Sequence, residues 1–272
     1  MPEPYLTISD VTRIYNELKD VTSYDFTKYR FSFKMRRAQI FMQKNNINNV
    51  NDLIFKLNQS KTFALNFSDN LFVPQTELFR DTDTWNYLNQ KLLPKLTSKS
   101  NPVIHIPYCV FGKELYSLIY FLGMFKSEHI NIIVSVTDKK NIEIIKNGIF
   151  SVKDIKACEK NTEQLDGNLN IKRVFYPHNK NYKLRHSFKG RIIFEEFDFF
   201  KHPGISEFDM VLFRNRLIYY NEDMQKDILK ITGNSVKKGG YLILGEREIK
   251  DVFSGRFKRI YSKSAIFKKR FI

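Results

Sequence analysis

Three short stretches carry side chains whose types and spacing could act together chemically. In the first, the apolar run Met210-Val211-Leu212-Phe213 feeds directly into Arg214-Asn215-Arg216 and then Leu217-Ile218-Tyr219-Tyr220. An apolar run ending in polar groups is the pattern of a central strand whose carboxyl end faces a ligand crevice. It is also the pattern of a strand end whose polar groups are merely satisfied. The second stretch is Thr137-Asp138, which closes the apolar run Ile132–Val136. A carboxylate there can accept hydrogen bonds from both hydroxyls of a ribose, or simply cap the following helix. The third is Gln75-Thr76-Glu77-Leu78-Phe79-Arg80. On a helix, Thr76 and Arg80 would share a face one turn apart and hold a hydroxyl and a guanidinium over a cleft, although a capping threonine and a surface arginine are spelled the same way.

Other chemistries find little support. The junction Tyr108-Cys109-Val110-Phe111-Gly112-Lys113-Glu114 has one glycine among bulky residues and matches neither a dinucleotide fingerprint nor a P-loop. His105 lies in an apolar run, and His178 and His186 lie in a polar stretch; no Ser/His/Asp ordering and no metal-ligand spacing is present, so no metal is expected.

The elements that must position these residues fall into two textures. Up to about residue 100 the pattern is helical: Ser9-Asp10 starts a helix running to about Leu18, Phe31 to Lys44 is a second with a basic face, and Asn51 opens a third through about Leu57. Trp85, Leu88, Leu92 and Leu93 space a further helix over 85–96 that ends near Pro94. Beyond Thr97–Pro102, read as a linker, strands and helices alternate. Strands are expected at Val103–Val110, Ile132–Val136, Ile192–Phe197, Met210–Phe213 and Tyr241–Leu244, with helices at Lys113–Phe125, Asn141–Lys146 and Glu222–Ile231 and a closing hairpin from Lys258–Tyr261 and Ala265–Lys268. Alternation predicts a parallel sheet flanked by helices. The polar, Asn- and Lys-rich residues 150–190 interrupt it with short β-like pieces, Arg173–Tyr176 and Tyr182–Leu184. The expected organisation is a helical N-terminal domain over 1–96 and an α/β domain over 102–272 carrying an insertion at about 150–190.

The chain has 272 residues, a formal charge of +16, 25 Phe and 14 Tyr. That length buries a full core. No apolar run is long enough to span a bilayer, so no membrane insertion is expected. Met-Pro-Glu-Pro lacks the basic-then-apolar order of a signal peptide, so none is expected, and Cys109 and Cys158 form no metal motif. A cytoplasmic protein with reduced thiols, monomeric by default, is the expectation. The charge is concentrated: residues 21–50 carry six basic side chains against Asp25 alone, and residues 250–272 carry eight against Asp251. Such fields attract acidic partners. Nothing but charge points to nucleic acid, because no zinc-finger spacing or RNP-like aromatic motif is present.

Five motifs in order give the chain a family resemblance. Thr76-Glu77-Leu78-Phe79-Arg80 is similar to T-x-F-F-R; Cys109 through Gly112-Lys113-Glu114-Leu115-Tyr116-Ser117 to C-S-T-G-E-E-P-Y-S; and Thr137-Asp138 with Asn147-Gly148-Ile149-Phe150 to the second-strand region with its A-x-x-G-x-Y. Phe213-Arg214-Asn215 with Leu217-Ile218-Tyr219-Tyr220 is similar to C-R-N-V-x-I-Y-F, and Gly239-Gly240-Tyr241-Leu242 to Gly245-Glu246-Arg247-Glu248 to G-G-x-L-x-x-G-H-S-E. Together they resemble the CheR-type chemoreceptor methyltransferases over roughly residues 20–265. The chain departs from that pattern at Tyr108 (glycine in the family), Val110-Phe111 (Ser-Thr), Lys113 (Glu), Pro74 and Asp198.

The resemblance implies a Rossmann-like S-adenosylmethionine-dependent methyltransferase domain, a small all-helical N-terminal domain and a small β insertion. Its activity would be methyl transfer to glutamate side chains of an acidic, helical protein such as a chemoreceptor cytoplasmic domain, leaving S-adenosylhomocysteine. By the same resemblance Arg80 and Tyr219 are the catalytic candidates, and Thr76, Gly112, Glu114, Asp138, Asp198, Phe199, Asn215 and Arg216 the cofactor-binding ones. The alternative reading, motivated by the altered first loop, is a catalytically inactive protein of this fold serving as a binding or regulatory module.

Overall fold

The computed structural model describes residues 5–22, 24–71, 77–136, 139–167, 169–185, 188–196, 207–248 and 255–271. By its contacts the chain divides into two units, Met1–Val73 with Tyr219–Gln225, and Pro74–Ile218 with Lys226–Ile272.

The first unit is helical: α1 (Ile8–Thr22), α2 (Phe31–Lys44), α3 (Val50–Gln59) and α4 (Lys61–Leu71). α1 starts one residue before the expected Ser9-Asp10 because Thr7 caps it. The Thr7 hydroxyl accepts the Asp10 N–H at 3.2 Å, and the Asp10 carboxylate accepts the Thr7 N–H at 3.0 Å. Apolar residues at helical spacing turn inward, Val11, Ile14 and Leu18 from α1, Ala38, Phe41 and Met42 from α2, Leu53 and Leu57 from α3, and Ala64 and Phe67 from α4. The segment from Tyr219 closes this unit. Tyr220 bridges antiparallel to Tyr29, and the Arg30 and Asn221 N–H groups donate to the Tyr219 and Lys28 carbonyls, each at 2.9 Å.

The second unit is built on a seven-stranded sheet. Its strands are β1 (Val103–Ile106), β2 (Asn131–Val136), β6 (Arg191–Glu196), β7 (Phe208–Phe213), β8 (Val236–Leu244), β9 (Phe257–Tyr261) and β10 (Ile266–Lys269). The order is β6-β2-β1-β7-β8-β10-β9, parallel through β8, with β10 and β9 added antiparallel. The chain winds outward from β1 in one direction and from β7 in the other. The crevice of such a sheet lies where the order reverses, at the carboxyl ends of these two adjacent strands. All six residues of β7 are buried, as a parallel strand covered on both faces requires. Helix α7 (Lys113–Leu122) follows β1 and is buried along most of its length, and α8 (Lys140–Asn147) follows β2; α11 (Glu222–Ser235) precedes β8.

Three details depart from the sequence expectation. β1 stops at Ile106 instead of Val110, because Tyr108 turns the chain with φ +62°. The helix expected over 85–96 is three pieces, α5 (Thr82–Tyr87), a π-helical turn at Leu88–Leu92 and α6 (Leu93–Thr97), and it passes Pro94. Proline lacks an N–H and its ring crowds the carbonyl four residues back, which a wider turn relieves. The stretch 150–190 holds a three-stranded antiparallel sheet, β3 (Ile149–Phe150), β5 (Asn181–Leu184) and β4 (Phe175–His178), with a short α10 (Ile171–Val174). It also holds α9 (Val152–Gln164), a helix absent from the sequence reading. Ser151 and Asp154 form a complete capping box there, and Ile155, Cys158 and Thr162 are the buried face.

At the amino-terminal side of the sheet, buried Asp209 joins three segments. Its carboxylate accepts from Lys99 at 2.7 Å, from Lys237 at 2.8 Å and from the Val103 N–H at 3.1 Å. Burial alone would push its pKa up, but these three donors outweigh burial and hold it below 3.8. Since the folded-state value is lowered, the contribution is full above the ordinary carboxylate pKa and is lost as the pH falls through Asp209's own lower value. Asp209→Asn is expected to cost about 2 kcal/mol at neutral pH, the lysines being half exposed. In chemical denaturation the gap from the parent should close in acid; a gap that stayed constant below pH 3.8 would show that the carboxylate charge is not what holds the segments.

Candidate active site

At the carboxyl end of β7 the chain leaves the sheet through Arg214, Asn215 and Arg216, all buried. The Arg214 guanidinium donates to Glu114 Oε1 at 2.8 Å, to Asp81 Oδ2 at 3.0 Å and to the Arg80 carbonyl at 2.7 Å, and stands 5.2 Å from the centre of the Trp85 ring. Burial alone would favour losing the proton; Glu114 and Asp81 more than reverse that and keep the guanidinium charged. This arrangement fixes the loop before α5. The Trp85 indole N–H also donates to the Arg80 carbonyl, at 2.9 Å. Arg80 thus sits between two left-handed non-glycine residues, Phe79 at φ +56° and Asp81 at φ +58°. Each such residue costs on the order of 1 kcal/mol. The Arg80 side chain is half-buried, and its Nε is 3.7 Å from Asp81 Oδ1, too long for a hydrogen bond.

Asn215 is left-handed too, at φ +58°. Its N–H donates to Glu248 Oε2 at 2.7 Å, and the Gly245 N–H donates to the same oxygen at 2.8 Å. Burial raises the Glu248 pKa, partly offset by backbone donors from Gly245, Asn215, Leu217 and Ile218. This carboxyl group therefore ties the turn after β7 to the turn after β8. Gly245 is needed for the fit: a Cβ there would lie 2.6 Å from Asn215 Oδ1 and 2.9 Å from its backbone nitrogen. The Asn215 amide nitrogen is buried and has no hydrogen-bond partner among the described residues. A buried donor left open beside a sheet crevice is available to an acceptor on a ligand.

The turn after β1 faces β7 in the sheet order. Gly112 has φ +74° and caps α7. Glu114, one residue into that helix, spends one carboxylate oxygen on Arg214. Lys113 turns to Asp154 of α9, 2.5 Å away, where its charge is balanced. Cys109 is buried and its thiol is pushed up to about 12, mainly by burial, so it is a core group rather than a nucleophile. His105 is likewise a core residue, its Nε2 2.8 Å from Ser135 Oγ and its pKa lowered by burial to about 3.

Arg80, Gly112, Glu114, Asn215 and Arg216 all belong to the second unit. Tyr219 belongs to the first, where its ring packs 5.0 Å from that of Phe33. Thr76, Asp138, Asp198 and Phe199 lie outside the described residues. Sequence reasoning missed Asp81 and Glu248. Asp81 follows Arg80 with no pattern to mark it. Glu248 ends the Gly245-Glu246-Arg247-Glu248 motif, so its position was visible although its buried, bridging role was not.

A sequence model of the family described as CheR methyltransferase, SAM binding domain, matches residues 74–266. The chain belongs to the CheR methyltransferase family. Its α/β fold with the reversal between β1 and β7 is Rossmann-like, and the enzyme is an S-adenosylmethionine-dependent methyltransferase. The methyltransferase Cher3 of Pseudomonas putida is 25% identical over 91% of this chain and 92% of its own. Chemotaxis protein methyltransferase 1 of Pseudomonas aeruginosa is 25% identical over 78% of this chain and 80% of its own. The chemotaxis protein methyltransferase of Borreliella burgdorferi is 24% identical over 66% of each. Among the described residues no helix is long and apolar enough to cross a membrane.

Because a Cβ at position 245 would displace Asn215, Gly245→Ala is expected to weaken S-adenosylhomocysteine binding about tenfold in calorimetric titration. Undiminished affinity would separate Asn215 from the ligand.

Proposed function

We propose that this methyltransferase esterifies the side-chain carboxylate of a glutamate on a helical, chemoreceptor-like protein. The observation that supports this most directly is the half-buried Arg80 guanidinium, fixed at its backbone by Arg214 and Trp85 and, among the described residues, paired only loosely with Asp81 at 3.7 Å. Bound S-adenosylmethionine supplies a methyl group on a positively charged sulfur. A glutamate is already ionised at neutral pH, so no general base is needed. The task left to the protein is alignment of a carboxylate oxygen with that methyl, which is a matter of proximity and orientation. Arg80 holds the carboxylate through charge-assisted hydrogen bonds, helped by Thr76. By the family pattern Asn215 donates to the adenosyl group, Asp138 accepts from the ribose hydroxyls, and Gly112, Glu114, Asp198 and Phe199 are the remaining cofactor-binding positions. The names of the relatives, which are chemotaxis methyltransferases, support the substrate class.

Purified protein with labelled S-adenosylmethionine should transfer label to a glutamate-bearing receptor helix and not to its glutamine counterpart. Arg80→Ala should cut transfer by about 100-fold while S-adenosylhomocysteine affinity stays within about threefold. Asp138→Ala should do the reverse, losing affinity first. No transfer to any glutamate-bearing helix sinks the assignment.

The helical unit carries the exposed basic residues Lys28, Arg36 and Lys44. Such a field speeds encounter with an acidic helix. Arg36→Glu should therefore lower kcat/KM several-fold at low ionic strength, with the effect fading as salt is raised. An effect independent of salt would assign Arg36 another task.

A further inference from the structure

Arg216 is 5% exposed, and among the described residues no carboxylate pairs with it. Its recorded contacts are weak. Nη2 donates to the Tyr108 carbonyl at 3.4 Å, the guanidinium carbon stands 5.8 Å from the Tyr108 ring centre, and Nε is buried without a hydrogen-bond partner. Two residues earlier, Arg214 has two carboxylates and a carbonyl. A buried guanidinium held only by a long hydrogen bond and an aromatic face lacks the counter-charge its desolvation calls for. Its position is the carboxyl end of β7, and Tyr108 lies at the carboxyl end of the neighbouring β1, so the pair lines the crevice where the strand order reverses. Tyr108 is itself held at φ +62°, a conformation that side chains avoid unless the surroundings demand it.

We propose that Arg216, oriented by Tyr108, receives a carboxylate in the cofactor crevice. The proposal rests on the methyltransferase reading of that crevice. A planar fork of N–H donors matches a carboxylate in two-point contact, and an incoming carboxylate would supply the missing negative charge. Two carboxylates enter such a site, that of the amino-acid end of the cofactor and that of the substrate glutamate. The first is favoured because Tyr108 and Arg216 occupy the crevice wall itself.

The test compares the parent with Arg216→Met, which keeps the length and removes the charge, and with Arg216→Lys, which keeps the charge and loses the fork. Each is titrated calorimetrically with S-adenosylhomocysteine and with 5′-methylthioadenosine, which lacks the amino-acid end. Each is then saturated with S-adenosylhomocysteine and titrated with a glutamate-bearing helical peptide and its glutamine counterpart. Arg216→Met should lose about 30- to 100-fold in S-adenosylhomocysteine affinity and bind 5′-methylthioadenosine within about threefold of the parent, with Arg216→Lys between. Without ligand, Arg216→Met should melt higher than the parent, because a buried unpaired charge has gone. A loss confined to the glutamate peptide would assign the carboxylate to the substrate. Parent-like binding of both, or equal loss of S-adenosylhomocysteine and 5′-methylthioadenosine, overturns the proposal. A parent protein that binds neither nucleoside would instead bring down the cofactor reading, and this inference with it.

Discussion

Arg214 is the interaction on which the rest of the site depends. Taking a guanidinium out of water costs several kcal/mol unless carboxylates and well-made hydrogen bonds replace the lost hydration. Here the replacements come from places far apart in the chain: Asp81 and the Arg80 carbonyl before α5, and Glu114 on α7. Trp85 adds an aromatic face. Leaving any one of these unpaired exposes the others to the full cost of an uncompensated buried charge. The consequence is geometric. Three segments must meet at one point, and the side chains next to them, Arg80 and Asn215, inherit fixed positions.

The two ends of the sheet are treated differently. At the amino-terminal side Asp209 is matched by two lysines and an amide, and one non-glycine residue, Asn101, is left-handed there among the described residues. At the carboxyl end, Phe79, Asp81, Tyr108 and Asn215 all adopt the left-handed conformation. The strain is local, and buried contacts around it hold it in place: Phe79 is fully buried with its N–H on Ser117 Oγ at 2.9 Å, and Asn215 is gripped by Glu248. Strained backbone gathered at one end of a sheet, on the side where ligands enter, is the arrangement expected of a preorganised site.

Much of this was legible in the sequence, for identifiable reasons. Alternating apolar runs and amphipathic stretches have periods that survive any tertiary detail, so the β1, β2, β7 and β8 regions and the closing hairpin could be placed. The Phe213-Arg214-Asn215 switch from apolar to polar marked the carboxyl end of β7. What escaped depended on backbone angles or on contacts distant in sequence. Nothing in Tyr108 announces a left-handed turn, so β1 was drawn too long. Helix α9 was hidden by polar composition, although Ser151-x-x-Asp154 before Ile155 was its signal. The pairing of one Glu114 oxygen with Arg214, a partner one hundred residues away, is revealed by no local pattern.

The contrast between Arg214 and Arg216 separates two uses of a buried cation. Both follow the same strand and both are removed from water, yet one is surrounded by counter-charge from its own chain and the other meets a carbonyl at 3.4 Å and an aromatic ring. A charge neutralised within the fold stabilises a junction and has little left to offer a ligand. A charge left in deficit makes the ligand-free protein less stable than it would be with an apolar residue there, and recovers that deficit only when an anion arrives. Two arginines two residues apart thus divide the work, Arg214 holding the crevice in shape and Arg216 keeping it electrostatically incomplete.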